Sequence, residues 1–234
     1  MIFYDKKGYP VDFENYEYLD RGNNAKVYVK EDVAIKVFDC KARYIMKKDL
    51  FQRLKYSGIE NIVQLYDYYQ FFKWNSLFRK VLTMDAYTME YIKGERTELL
   101  FASKGYIDKV LKQLEDVIYR LAALNVVIYD AHEGNIIFNE KGANIIDPDH
   151  FYIAKKKSLD EIAELNKRAA IKYINCTLDF EMGNYMDMYD VRYRNVKFID
   201  ECNPSLSLTE NVKNNIEEEF IYHDYVKKLK KYIY

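Results

Sequence analysis

Three oxygen-bearing side chains lie close together in the sequence YDAHEGNIIFNEKGANIIDPD, residues 129–149. Asp130 and Asn135 occupy one short loop, and Asp147 follows a hairpin-like pattern. A Mg²⁺ ion takes oxygen ligands and needs only one or two protein side chains when substrate phosphates supply others. The spacing therefore predicts a cation held by Asn135 and Asp147, with Asp130 left to act as a base. Taken singly, each residue has a plainer explanation, because Asn and Asp often hydrogen-bond their own backbone in turns.

This segment resembles the catalytic loop and metal-binding segment of the protein-kinase-like superfamily, in which D-x-x-x-x-N is followed by an aspartate after the next hairpin. The resemblance implies that Asp130 accepts the proton of the acceptor hydroxyl and that Asn135 and Asp147 are Mg²⁺ ligands. D-A-H-E-G-N is closer to the D-x-H-x-G-N of aminoglycoside and choline kinases than to the D-x-K-x-x-N of serine/threonine protein kinases.

Two residues near this segment have two interpretations each. His132 stands where protein kinases carry a lysine near the γ-phosphate, so it either donates to that phosphate or, as a neutral imidazole, fastens the loop backbone. Asp160 corresponds to the helix aspartate that braces the catalytic loop in the superfamily, or it belongs to an ordinary helix N-cap region.

Upstream, VAIK at 33–36 resembles the superfamily's strand lysine, and LDRGNNAKVY at 19–28 resembles its phosphate-covering loop, with Gly22 at the middle glycine. The resemblance implies that backbone amides of this turn and the Lys36 ammonium bind the triphosphate of ATP. Each motif is weak alone, since a glycine between strands is commonly a hairpin turn and a lysine on an edge strand is ordinary.

MEYIKGE at 89–95 resembles the hinge of the same superfamily. By that resemblance Met89 faces the back of the adenine pocket, and the backbone of Glu90 and Ile92 hydrogen-bonds the adenine edge. Two small apolar residues of the predicted sheet would cover the adenine, namely Val27 and Ala34.

The resemblance also implies an acidic partner for Lys36 on the helix of the first ninety residues. Counting back from IENIVQLYDY, residues 59–68, places Asp49 nearest the position of the superfamily's helix acid. The alternative is that Asp49 is an acid among basic residues on a solvated helix face.

Three departures from the superfamily pattern limit what the resemblance implies. IYD at 128–130 replaces H-R-D, so no arginine is present to bind an activation-loop phosphate, and switching by such a phosphate is not expected. DPD at 147–149 replaces D-F-G, and its proline fixes a backbone angle where that loop often moves. No A-P-E follows, which implies that the peptide-docking platform of protein kinases is shortened or missing.

The elements that position these residues are predicted from hydrophobic periodicity. Residues 16–38 read as two strands around a Glu31-Asp32 turn, preceded by a Gly22-containing turn. Further strands are predicted at 62–72 and 80–92, helices at 41–57, 106–124, 158–173 and 209–231, and a short hairpin at 135–138 and 144–147. We therefore expect an α+β, two-lobed protein-kinase-like fold. Residues 1–93 would form a small antiparallel sheet with one helix, and residues 94–234 a mainly helical lobe of the same domain.

Composition excludes several other classes of protein. The 234 residues carry 36 basic and 37 acidic side chains, so no strong field favours nucleic acid as a partner. Cys40, Cys176 and Cys202 form no C-x-x-C pair and suit reduced thiols in a cytosol. No signal peptide or membrane span is expected, so a soluble, cytoplasmic protein is predicted.

The leading hypothesis is an ATP- and Mg²⁺-dependent phosphotransferase, a divergent minimal serine/threonine protein kinase that transfers the γ-phosphate of ATP to a hydroxyl. The acceptor would be a protein or a small hydroxylated molecule. Two alternatives remain at this point: a small-molecule kinase of the aminoglycoside or choline type, and an inactive pseudokinase that serves as a binding scaffold.

Overall fold

The computed structural model describes residues 3–4, 10–11, 15–22, 24–39, 42, 45–75, 80–188, 203 and 205–215. The chain divides into two compact units, Met1–Lys93 and Gly94–Tyr234. The first unit is built on a β-sheet and the second mainly on helices. The α+β class expected from the sequence is therefore confirmed.

An antiparallel seven-stranded sheet forms the first unit, in the order β2-β1-β6-β7-β5-β4-β3. Its strands are β1 (Phe3–Tyr4), β2 (Pro10–Val11), β3 (Glu17–Arg21), β4 (Ala25–Lys30), β5 (Val33–Phe38), β6 (Leu65–Asn75) and β7 (Lys80–Glu90). Both predicted turns are confirmed. Gly22 N donates to Ala25 O at 2.9 Å between β3 and β4, and Glu31, with φ of 55°, lies in the two-residue turn between β4 and β5.

The helix of the first unit, α1 (Lys48–Lys55), is shorter than the predicted 41–57. Lys47 has an extended backbone and makes no side-chain cap, so the helix begins only after it. Its apolar side chains lie against the sheet: the Phe51 ring centroid is 5.4 Å from that of Tyr68 and 6.0 Å from that of Tyr87. This packing stabilises a helix too short to persist alone.

Helices and two pairs of short strands make up the described part of the second unit. Its elements are α2 (Lys104–Ala123), β8 (Val126–Val127), β9 (Ile136–Asn139), β10 (Gly142–Ile145), β11 (Tyr152–Ile153), α3 (Leu159–Met188) and α4 (Leu208–Asn215). The Ser103 side chain caps α2 by accepting from Tyr106 N. The apolar residues of α2 from Val110 to Leu121 are buried, and the predicted hairpin is confirmed as β9 and β10, with residues shifted by one or two.

Helix α3 continues well beyond the predicted end at residue 173. Buried residues recur at helical spacing after that point, namely Ile174, Leu178 and Met182. Their packing against the core keeps the chain helical through Asn175, Cys176 and Thr177, three residues of low helix propensity. The predicted helix at 209–231 is observed as α4, and its later part lies outside the described residues, as do Cys40 and Cys202. Cys176 is a free, partly buried thiol. Among the described helices none has the length and apolarity to cross a membrane.

Candidate active site

Two strand pairs bring the predicted loop residues of the second unit together. Strands β9 and β10 pair with Ile136 opposite Ile145, so the residue before β9, Asn135, and the segment after β10 share one end of the hairpin. Ile146 N donates to Asn135 O at 3.0 Å and fixes this end. Strands β8 and β11 pair on either side of the segment, which keeps the loop after β8 close to the turn before β11.

A hydrogen bond from Asn135 fixes the backbone of Asp130. Asn135 Nδ2 donates to Asp130 O at 2.8 Å, and the Asn135 side chain is only 6% exposed. Asp130 has φ of 60°, a left-handed conformation that costs free energy in a residue with a Cβ and that concentrates at functional sites. Within the described residues Asn135 Oδ1 accepts no hydrogen bond. The five-residue spacing between Asp130 and Asn135 thus has a physical role. The amide nitrogen of Asn135 holds the loop backbone, and its amide oxygen remains available as a ligand for a cation.

Two histidines approach the Asp130 carboxylate. His150 Nδ1 lies 2.6 Å from Asp130 Oδ2, and His132 Nε2 lies 3.8 Å from the same oxygen. His132 Nδ1 accepts from Gly134 N at 3.1 Å, so this imidazole does fasten the loop backbone. A Cβ on residue 134 would lie 2.9 Å from His132 Cε1, which explains why glycine occupies that position.

The D-P-D-H sequence folds as one short turn. Asp147 Oδ1 accepts from Asp149 N at 3.4 Å and so caps a 3₁₀ turn, Pro148–His150. Proline suits the first position of such a turn because its missing N–H would have no partner there. The turn therefore places the predicted cation ligand Asp147 at its start and His150, the partner of Asp130, at its end.

A buried asparagine on α3 holds the strand that leads into the loop. Asn166 is 0% exposed, its Oδ1 accepts from Ile128 N at 2.8 Å, and its Nδ2 donates to Val126 O at 3.0 Å. Asp160 instead lies exposed in the first turn of α3. Among the described residues it is Asn166, and not Asp160, that hydrogen-bonds the strand leading into the loop.

Tyr173 of α3 carries a buried hydroxyl that has no hydrogen-bond partner among the described residues. Burial raises its pKa, and the charges of Asp147 and Asp130 raise it further. Two carboxylates and an unsatisfied hydroxyl in one neighbourhood fit a hydrated cation, which supplies positive charge and water oxygens. No cluster of three His, Cys, Asp or Glu residues able to hold a metal occurs in the described ranges. Asn135 and Asp147 offer two oxygen ligands, and Mg²⁺ needs only one or two protein side chains when phosphates supply others.

The sheet of the first unit aligns the predicted nucleotide residues by register. Val27 pairs with Lys36 across β4 and β5, and Ala34 pairs with Met89 across β5 and β7. Paired residues share a face, as do residues two apart, so all four side chains lie on one face. Lys36 Nζ is 5.9 Å from the Phe38 ring centroid on that face.

Asp49 is not brought to Lys36 in the first unit. It lies exposed in the first turn of α1, and within the described residues its side chain accepts one hydrogen bond, from Leu50 N at 2.9 Å. The buried side of α1 is apolar, so the acid is turned to the solvated face, the alternative that the sequence left open.

One of the backbone amides at the predicted hinge already donates a hydrogen bond within the protein. Glu90 N donates to Gln64 O at 2.8 Å, so this amide is not available to a ligand. Ile92 N donates to no acceptor in the described part of the chain, although the residue is half-buried. The Ile92 amide therefore fits an adenine acceptor, and the Glu90 amide does not.

A comparison with solved structures finds a kinase. The chain is similar in structure to the Cydia pomonella granulovirus kinase PK-1, with 14% sequence identity, coverage of 76% of each chain and a TM-score of 0.48. No family model and no curated protein matches the sequence. Assignment of a function therefore rests on the residues and their contacts.

A cavity of about 420 Å³ lies within the second unit beside the loop. Its lining combines acids, an arginine, phenylalanines and a buried hydroxyl: Arg96, Glu98, Phe101, Glu133, Phe138, Thr177, Phe180 and Glu181 are among them. Burial raises the pKa of Glu181 to about 7 although the carboxylate accepts from the backbone amides of Leu99 and Leu100. The volume of the cavity is within the usual range for small-molecule sites.

Sequence reasoning missed three residues of this site: His150, Asn166 and Tyr173. The signal for Asn166 and Tyr173 was available, because each is a polar residue at a buried position of a helical stripe that includes Ile162 and Ala170. No comparable pattern pointed to His150, since its role depends on the turn made by the three residues before it.

Proposed function

We propose that this protein is an ATP- and magnesium-dependent phosphotransferase, a divergent minimal serine/threonine protein kinase. The observation that carries the proposal is the clamp between Asn135 Nδ2 and Asp130 O. It holds a strained aspartate in place and leaves Asn135 Oδ1 at the hairpin end from which Asp147 also emerges.

In the second unit, Asp130 would orient the acceptor hydroxyl and accept its proton. Asn135 and Asp147 would hold magnesium, which neutralises phosphate charge when bound. Asn166 and the Asn135 clamp keep the loop from relaxing, so the carboxylate is positioned before substrate binds. This pre-organisation is what catalysis by positioning requires.

In the first unit, one face of the sheet would bind the nucleotide. Val27, Ala34 and Met89 would contact the adenine, and Lys36 would bind the phosphates with the backbone of the Gly22 turn. The Ile92 amide, which has no partner within the described residues, would donate to the adenine edge. Asp49 has no part in this proposal because it lies on the solvated side of α1.

A second candidate is a kinase that acts on a small hydroxylated molecule. The cavity of the second unit favours it, because Glu133 of the loop lines that cavity together with Glu98 and exposed phenylalanines. Such a lining suits an acceptor with a cationic group and an apolar part.

Phosphate transfer measured by mass tests the proposal. Purified protein with ATP and Mg²⁺ is expected to phosphorylate itself or a generic protein substrate. Asp130→Asn and Asp147→Asn are each expected to reduce the rate by about 10²- to 10⁴-fold. Asp160→Asn is the matched control and should leave the rate unchanged, since Asp160 is exposed and braces nothing in the described structure.

The same assay separates the alternatives. Transfer to an aminoglycoside, choline or a sugar, with none to protein, would replace the protein acceptor by a small molecule. Nucleotide binding without turnover by the wild-type protein would contradict the enzyme and indicate a pseudokinase scaffold.

A further inference from the structure

The contact between His150 and Asp130 is the shortest polar contact made by the proposed catalytic carboxylate. His150 Nδ1 is 2.6 Å from Asp130 Oδ2, against 3.8 Å for His132 Nε2. Both side chains are partly shielded, with 22% of the His150 side chain and 39% of the Asp130 side chain exposed. A short hydrogen bond that is partly shielded from water is stronger than the same hydrogen bond at a fully exposed surface.

The protons on the two imidazoles follow from their other partners. A carboxylate only accepts hydrogen bonds, so the His150 nitrogen that faces it, Nδ1, carries the proton. His132 is the opposite case, because its Nδ1 accepts from Gly134 N and a neutral ring then has its proton on Nε2. The two histidines therefore have different tautomers and different roles.

His150 is held rigidly enough to orient a carboxylate. It ends the 3₁₀ turn that Asp147 caps, and Phe151 N closes this turn by donating to Pro148 O at 3.1 Å. The next two residues form β11, which pairs with β8 directly before the loop. Backbone pairing thus fixes the distance between the histidine and the loop that carries Asp130.

We propose that His150 is a positioning residue for phosphoryl transfer, which donates its Nδ1–H to Asp130 Oδ2 and so turns Asp130 Oδ1 towards the acceptor. The inference rests on the proposed function. In the described residues Asp130 Oδ1 has no partner. During transfer the acceptor oxygen bonds to the γ-phosphorus, the bond from that phosphorus to ADP breaks, and the acceptor's proton passes to Oδ1. His150 keeps its own proton throughout.

Three substitutions of His150 test whether the position of its N–H group matters, rather than the size of the side chain. His150→Ala removes the donor and is expected to lower kcat roughly 10- to 100-fold while KM for ATP stays within about twofold. His150→Asn keeps an N–H at the position of Nδ1 and should restore most of kcat. His150→Gln moves its N–H towards the position of Nε2 and should not. Tyr152→Phe, an exposed neighbour outside the site, is the control for handling and folding.

A second measurement does not depend on activity. The ¹⁵N chemical shifts of His150 are expected to show the Nδ1–H tautomer in the wild-type protein and to lose that preference in Asp130→Ala. Absence of this tautomer, or a His150→Ala variant with wild-type kcat, overturns the inference and leaves the proposed function standing. A wild-type protein with the tautomer but without transfer overturns the proposed function, and the catalytic part of the inference with it.

Discussion

The sheet of the first unit and the loop of the second unit position their polar side chains by different physical means. Lys36 takes its direction from strand register, because it pairs with Val27 on one side and Tyr87 on the other. Asp130 takes its direction from side-chain hydrogen bonds, which come from Asn135 and His150. The sheet would form with almost any side chain at position 36, whereas the loop depends on the side chains themselves.

This difference teaches which substitutions separate function from stability. A residue whose direction is set by strand register can lose its charge without a change in the backbone, since the hydrogen bonds between the strands remain. A residue aimed by buried hydrogen bonds leaves unsatisfied donors and acceptors when a partner is removed. Activity and stability are therefore expected to separate in the first unit and to fall together in the second.

In the first unit the largest effect is expected for Lys36→Met. Loss of the ammonium should reduce phosphate transfer by about 10²- to 10³-fold, because a pre-organised charge on the phosphates is removed. The free energy of unfolding, measured with urea, should change by no more than about 1 kcal/mol, the size of a half-exposed polar interaction. Lys30→Met is the matched control: Lys30 lies on the same sheet but on the other face, and it should retain activity. A large stability loss in Lys36→Met would contradict placement by register.

A smaller effect, on both stability and phosphate transfer, is expected for Asn166→Ala. Ile128 N and Val126 O would be left buried without partners, which should cost about 3 kcal/mol of unfolding free energy in urea. Because Ile128 leads directly into the loop, phosphate transfer should fall as well. Asp160→Ala on the same helix should alter neither quantity. Unchanged stability in Asn166→Ala would mean that the loop is held by its strand pairing alone.

Sequence periodicity predicted most of the fold, and motif spacing predicted the residues of the loop. Strand register follows from alternation, so the shared face of Val27, Ala34 and Lys36 was accessible to pattern reasoning. The short extent of α1 was not, because Met46 and Lys47 are good helix formers and the extended backbone of Lys47 is not visible in the sequence.

The supports of the site were harder to predict than its reactive groups. Asp130, Asn135 and Asp147 are separated by fixed spacings in one segment, and such spacing is visible in a sequence. Asn166 reaches Ile128 across 38 positions, and His150 reaches Asp130 through a turn of unpredicted geometry. Contacts of this kind depend on tertiary structure, which local propensity does not determine.

A pH-dependent effect is expected for Glu181 in the second unit. Burial raises its folded pKa from 4.5 to about 7, so the folded state holds a proton that the unfolded state loses between those values. Stability from this group is complete below about pH 4.5 and is lost as the pH rises to about 7, by up to about 3 kcal/mol.

Urea unfolding across this pH window checks the expectation. The fall in stability between pH 4.5 and 7 should be smaller in Glu181→Gln than in the wild-type protein. Glu161→Gln is the control, because hydrogen bonds from Ser158 lower the Glu161 pKa and keep its titration below this window. An equal slope in Glu181→Gln and wild type would show that the Glu181 carboxylate is hydrated rather than buried.

The smallest effect separates two tyrosines of the second unit, the half-buried Tyr106 and the buried Tyr173. Tyr106 donates its hydroxyl to Asn139 O at 2.7 Å, whereas the Tyr173 hydroxyl has no partner among the described residues. Tyr106→Phe should therefore lose about 1 kcal/mol of unfolding free energy, and Tyr173→Phe should lose none or gain up to about 1 kcal/mol. Urea unfolding without nucleotide or Mg²⁺ measures both. An equal loss in the two variants would mean that a bound water satisfies Tyr173, which would place ordered water beside the carboxylates of Asp130 and Asp147.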